Sequence, residues 1–153
     1  MSTVRLMLTR FARARIALAE QHCEALLNGI ILSREFNLTL ASRANARGHT
    51  KHGSKKNADQ RALGMLVGKE FIATLRKSGL RLFAPHATFV RRAPRMLDSD
   101  NLETAFKSVR DGVAEGLGIS DATTGPAVWW TEQQFLSRDS WFEIHIVDKG
   151  SKL

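Results

Sequence analysis

The sequence contains very little cysteine and no long apolar stretch. Its single cysteine, Cys23, cannot form an intramolecular disulfide and leaves no cysteine-based zinc site. No apolar run approaches the roughly 18 residues that a membrane-spanning helix needs. There are no internal repeats and no low-complexity tract. These absences favour a single reduced, cytoplasmic domain, and 153 residues suffice for a hydrophobic core without covalent cross-links.

Positive charge is in excess, and it is unevenly spread along the chain. The net charge is +8. Residues 1–97 carry 18 Lys and Arg against 5 Asp and Glu, whereas residues 98–153 carry 5 against 10. Cations neutralise backbone phosphates, and clustered carboxylates hold a hard metal ion. This distribution suits a metal-dependent nuclease, and a basic protein without such a partner would also be positively charged.

Hydropathy patterning predicts an α/β (α+β) sandwich. The predicted strands cover 35–42, 84–92, 127–135 and 141–148, and the predicted helices cover 1–33, 58–77 and 101–116. The helix over 58–77 should bury Leu63, Leu66, Val67, Phe71 and Leu75. This order predicts a mixed sheet of about four strands with two main helices packed on it, plus an extra N-terminal helix. We therefore divide the chain into an N-terminal helical extension, 1–34, and a main domain, 35–153.

The predicted N-terminal extension is strongly basic. Its first eighteen residues contain four arginines and no acid, as in a mitochondrial transit peptide. The same pattern suits a DNA-facing arm or a docking helix, and the sequence does not choose among them. After the first strand, a basic, glycine-containing loop is predicted before the second helix.

Two aspartates precede the helix predicted over 101–116. In an extended link, Asp98 and Asp100 would point to the same side, so that their carboxylates could share one cation. The alternative is structural: Asp100 followed by Glu103 is a capping-box pattern, with Asp98 a solvated loop residue.

The helix itself should bury one face and expose the other. Its apolar face comprises Leu102, Ala105, Phe106, Val109 and Val113, and its charged face comprises Glu103, Lys107, Arg110 and Asp111. Lys107 and Asp111 have the spacing of a helical ion pair. Gly116 or Gly118 should end the helix, and Asp121 follows in a turn.

The stretch from 95 to 121 resembles the signature of the RusA-type Holliday-junction resolvases, especially their phage and prophage members. The resemblance rests on Asp98-x-Asp100-Asn101-Leu102, on Asp111-Gly112-Val113, and on Leu117-Gly118-Ile119 followed by Asp121. Weaker similarity extends over about 37–148 and includes Asn45-Ala46-Arg47-x-His49 and the region of Trp129, Trp130, Gln133 and Gln134.

The resemblance implies a homodimeric crossover junction endodeoxyribonuclease of DNA recombination and repair. Such an enzyme binds four-way junctions and makes symmetric paired nicks. It implies that Asp98, Asp100 and Asp121 bind Mg²⁺, for which Mn²⁺ could substitute, and that Lys107 assists at the phosphate. We expect DNA contacts from Arg43, Arg47, His49, Lys51, Lys55, Lys56, Arg91, Arg92, Arg95 and Arg110. A bacterial or phage-infected cytoplasm is the expected location.

The chain departs from the family pattern at two positions. Thr104 stands where a well-known member has a functional lysine, and Ala122 stands where many members have a second acid. Glu132 is therefore a reserve for the third ligand. Two alternatives stay open: a branched-DNA-binding protein of phage origin that has lost cleavage, and a phage structural or regulatory protein.

Overall fold

The computed structural model describes residues 30–40, 51–120, 129–148 and 150–152, with the backbone alone at 51–54 and 152. Six strands and two helices lie within these ranges. The strands are β1 (Ile30–Phe36), β2 (Leu80–Arg81), β3 (His86–Ala93), β4 (Trp130–Leu136), β5 (Trp141–Asp148) and β6 (Ser151–Lys152). The helices are α1 (Lys51–Lys77) and α2 (Ser99–Leu117).

Four of the strands form one mixed sheet in the order β1-β5-β3-β4. β5 pairs antiparallel with both β1 and β3, whereas β3 and β4 are parallel because α2 makes the connection between them. The short strands β2 and β6 form a separate antiparallel pair. The predicted mixed four-strand sheet with two helices is thus confirmed.

Both helices contribute to a hydrophobic core shared with the sheet. Phe71 and Leu75 of α1, Phe106 and Val109 of α2, and alternate residues of the central strands are all buried there. Every apolar residue predicted for the inner face of α2 is buried. On α1, Val67, Phe71 and Leu75 are buried as predicted, but Leu66 is 65% exposed.

The two helices run side by side and touch through glycines. Gly64 and Gly68 lie on α1, and Gly112 and Gly116 lie on α2, each pair one helical turn apart. A Cβ added at Gly112 would lie 2.0 Å from the Arg61 carbonyl oxygen, and one at Gly64 would lie 2.2 Å from the Val109 carbonyl oxygen. The backbones are therefore in direct contact, and no larger residue fits at these positions without moving a helix.

Several predicted boundaries were wrong. Residues 30–33 belong to β1 and not to a helix, and β1 ends at Phe36. Because β1 pairs with β5 over its full length, tertiary pairing overrides the local helical preference. Residues 51–57, predicted as loop, form the first turns of α1. The helix predicted over residues 1–29 lies outside the described residues. No helix in the described ranges is long and apolar enough to cross a membrane.

Candidate functional site

The acidic pair lies at the N-terminus of α2, where the chain arrives from β3. Asp98 is the N-cap: its backbone is extended, and its Oδ1 accepts a hydrogen bond from the Asn101 backbone N–H at 2.9 Å. Asp100 lies inside the first helical turn, and the Thr104 hydroxyl donates to its backbone carbonyl. Both carboxylates are exposed.

This geometry corrects the sequence-based arguments about the pair. The cap is Asp98 and not Asp100. Because Asp100 is already helical, the two residues are not alternate positions of an extended chain, and the argument that their side chains must point the same way does not hold. Asp98 uses one oxygen for the cap, and its Oδ2 accepts no hydrogen bond from another described residue.

A glutamine side chain fixes the link that carries the acids. The Gln134 amide oxygen accepts from the Leu97 N–H at 2.9 Å, and its amide nitrogen donates to the Leu97 carbonyl at 2.6 Å. The Gln134 side-chain amide thus pairs with both backbone groups of Leu97, as the backbone of a neighbouring strand would. Arg91 adds a second tie, donating to the Arg95 carbonyl at 2.8 Å. The start of α2 is therefore held against β3 and β4.

Lys107 is exposed on α2, two turns beyond Asp100. Its Nζ pairs with Asp111 Oδ2 at 2.9 Å, so the predicted helical ion pair is present. In this conformation its ammonium group points away from the acidic pair. Because an exposed pair of this kind contributes only about 0.3–0.5 kcal/mol, the lysine can be redirected toward an incoming anion at little cost.

Arg110 was predicted on the exposed face of α2, and this was wrong. Its side chain is only 9% exposed and lies 4.5 Å above the Trp130 ring. It pairs with Glu132 at 2.6 Å, so the reserve metal ligand already has a cation partner. Burial raises the pKa of Glu132, and the charge and hydrogen bond of Arg110 oppose that rise.

Two of the three arginines that precede the acidic pair also have structural partners within the protein. Arg91 is buried, and burial lowers the pKa of its guanidinium group. Arg92 pairs with Glu143 at 2.8 Å and lies between the Phe135 and Trp141 rings. Both therefore act first as structural groups. Arg95 is exposed, and its predicted DNA contact stays a prediction.

The Arg92 pair belongs to a polar network on the sheet face opposite the helices, which the sequence analysis missed. Glu143 is 1% exposed and accepts from Arg92, and its other oxygen lies 2.7 Å from His145 Nε2. The second ring nitrogen of His145 lies 2.8 Å from Ser33 Oγ. A glutamate in an alternating strand gave no sign of this burial, which depends on partners from β1 and β3.

Trp129 and Trp130 both pack on the core, half-buried, with their rings 5.3 Å apart in an edge-on arrangement. Trp129 directly precedes β4, whose first residue is Trp130. Trp129 meets Phe89 edge-on, and Trp130 lies under Arg110.

Other predicted site residues fall in different places. Lys55 and Lys56 are exposed near the start of α1. Only the backbone of Lys51 is described, and Asp121, Arg43, Arg47 and His49 lie outside the described residues. Within the described ranges, no three His, Cys, Asp or Glu side chains come together as a metal site. The three-aspartate site stays a prediction, since one of its members is not among these residues.

The comparisons with known proteins add no family to this description. No protein-family model matches the chain, and no curated protein matches it.

Proposed function

We propose that the protein is a Mg²⁺-dependent, structure-specific endonuclease that cuts branched DNA as a homodimer. The observation that carries the proposal is the pair of exposed carboxylates, Asp98 and Asp100, on a link clamped by Gln134. Carboxylates without internal ion pairs, on a fixed backbone, are the donors that a hard cation prefers. The resemblance over 95–121 supplies the substrate class.

Asp98 and Asp100 would each supply one exposed carboxylate oxygen to the metal ion, and Asp121 is the proposed third ligand. Mg²⁺ bound there would activate a water molecule and neutralise charge at the scissile phosphate. The N-terminus of α2 adds the positive end of a helix dipole beside the same phosphate.

The chain's own cations would hold the rest of the substrate. Lys107 can leave Asp111 and bind the scissile phosphate, because the exposed ion pair is weak. Lys55, Lys56 and Arg95 would bind neighbouring phosphates, which orients the DNA without reading its sequence. Arg91, Arg92 and Arg110 act indirectly, by holding the sheet and the acid-bearing link in place.

The test compares cleavage of a labelled four-way junction with that of linear duplex of the same sequence, with Mg²⁺ and with EDTA. The expected result is paired nicks in the junction alone and only with Mg²⁺. Asp98→Asn should abolish cutting while junction binding persists. Asparagine caps a helix as well as aspartate, so this change removes the charge and keeps the cap.

Asp139→Asn is the matched control, since Asp139 is an exposed acid in the turn between β4 and β5. It should cut like the unmodified protein. Unchanged cutting by Asp98→Asn would refute the metal assignment. Tight junction binding without any cut would favour the cleavage-deficient binding protein, and neither binding nor cutting would refute the proposed function.

A further inference from the structure

We infer that two copies of the chain pair through the outer edge of β4. The inference deepens the proposed function, because it names the surface by which the homodimer forms. β4 is an edge strand of the four-stranded sheet, and it pairs with β3 on one side. On its other edge, every second residue of β4 presents its backbone N–H and C=O groups, with no described strand beside them. Such an edge is a template for another strand.

Exposed apolar side chains mark the same edge. Leu136 is 68% exposed at the end of β4, and Phe135 beside it is 37% exposed. Met96 is 52% exposed and adjoins Leu97, which the Gln134 clamp holds against this strand. Phe135 and Leu136 are successive residues and point to opposite faces of the sheet, so exposed apolar groups border both faces of this open edge, as expected where a protein partner binds.

The sequence of β4 is complementary to itself in the antiparallel direction. Centred on Gln133, a symmetric pair would place Trp130 opposite the partner's Leu136 and Glu132 opposite the partner's Gln134. Each leucine would then cover a half-buried indole, and no two like charges would face each other. A second copy of this chain is therefore the occupant that fits this edge.

The pairing has a direct consequence for the proposed site. A two-fold axis perpendicular to the sheet would join two four-stranded sheets into one, with all four helices on the same face. Because Gln134 clamps the acid-bearing link to β4, the two acidic pairs would lie on either side of that axis. Two sites in a fixed relation are what symmetric nicks in two strands require.

The first test measures the dimer dissociation constant by sedimentation. Leu136→Glu would place a carboxylate against the partner's indole and close to the partner's Glu132. The expected result is a dissociation constant raised at least about tenfold. Leu66→Glu is the matched control, because Leu66 is a similarly exposed leucine on α1. It should leave the dimer intact, and circular dichroism verifies that both variants are folded.

The second test measures the register by disulfide trapping in a Cys23→Ser background. Gln133→Cys would place two thiols opposite each other at the axis and should give a covalent dimer on mild oxidation. Thr131→Cys is the control, since its two copies would lie four residues apart along the strands and should not cross-link.

A monomeric unmodified protein, an unaffected Leu136→Glu dimer, or equal cross-linking at both positions would overturn the pairing. The nuclease proposal is tested separately by cleavage. A β4-linked dimer that does not cut would refute the nuclease proposal alone. A cutting dimer insensitive to Leu136→Glu would refute the pairing alone.

Discussion

Replacing Arg110 by methionine tests whether α2 is held to β4 by a buried ion pair. Methionine keeps an unbranched side chain against Trp130 and removes the cation that Glu132 pairs with. Glu132 is only 13% exposed, so its carboxylate would stay largely out of water. Breaking one side of a buried pair costs about 3–5 kcal/mol, because the remaining charge is uncompensated. We expect the free energy of unfolding to fall by about this amount at pH 7.

The loss should depend on pH in a definite direction. Burial already raises the pKa of Glu132, and Arg110 opposes that rise. In Arg110→Met the opposition is gone, so the folded-state pKa moves further above the unfolded value. A raised folded pKa favours the folded state at low pH, and this advantage is lost as pH rises through the folded pKa. The destabilisation should therefore be smaller at pH 4 than at pH 7.

Urea unfolding at both pH values measures these differences. Lys107→Met removes an exposed pair one turn earlier on α2, and it should cost only about 0.3–0.5 kcal/mol. Adding Glu132→Leu to Arg110→Met should restore much of the stability, because apolar groups can replace a buried pair with little loss. The reasoning would be refuted if Arg110→Met lowered the free energy of unfolding no more than Lys107→Met does. It would also be refuted if the loss for Arg110→Met were the same at pH 4 and pH 7.

Three further changes test other parts of the structure. Gly112→Ala should lower the free energy of unfolding by about 1–3 kcal/mol, because the new methyl group would meet the Arg61 carbonyl; a stabilised variant in thermal unfolding would contradict the close helix contact. Asp98→Ala should cost about 1 kcal/mol through loss of the cap, whereas Asp98→Asn should cost little in the same denaturation assay. Gln134→Leu should speed hydrogen exchange at the Leu97 amide, and unchanged exchange would show that the clamp does not hold the link.

The elements with strong internal periodicity were predictable. The strand over 141–148 matches β5 in both bounds, and the inner face of α2 is buried as its spacing indicated. Each of these elements packs one face against the hydrophobic core, so its apolar residues recur at the spacing of a helix or a strand and can be recognised in the local sequence. β1 was misplaced because its strand character comes from pairing with β5, over a hundred residues later in the chain. The β2–β6 pair was missed since two-residue strands have no periodicity to detect.

At the candidate site, the sequence predicted local pairings better than the surroundings of the arginines. Lys107 pairs with Asp111 as its spacing suggested, whereas the ligand role of Asp98 and Asp100 stays a prediction. The arginines were the main error, because charge alone suggested exposure. Arg110 and Arg92 are instead enclosed by aromatic rings and glutamates from other strands. Such partners are distant in sequence and carry no local signal.

The glycine contacts between α1 and α2 also limit how the domain can move. Two helices that touch through side chains can slide past each other when the side chains change rotamer. Two helices that touch through their backbones have no side-chain rotamers at the contact that could change in this way. The close contacts begin at Arg61, less than two turns after Lys55 and Lys56, so we expect a displacement of this part of α1 to move α2 as well. The four glycines thus couple the two helices mechanically. We expect DNA bound at the basic start of α1 to shift the position of Asp98 at the start of α2.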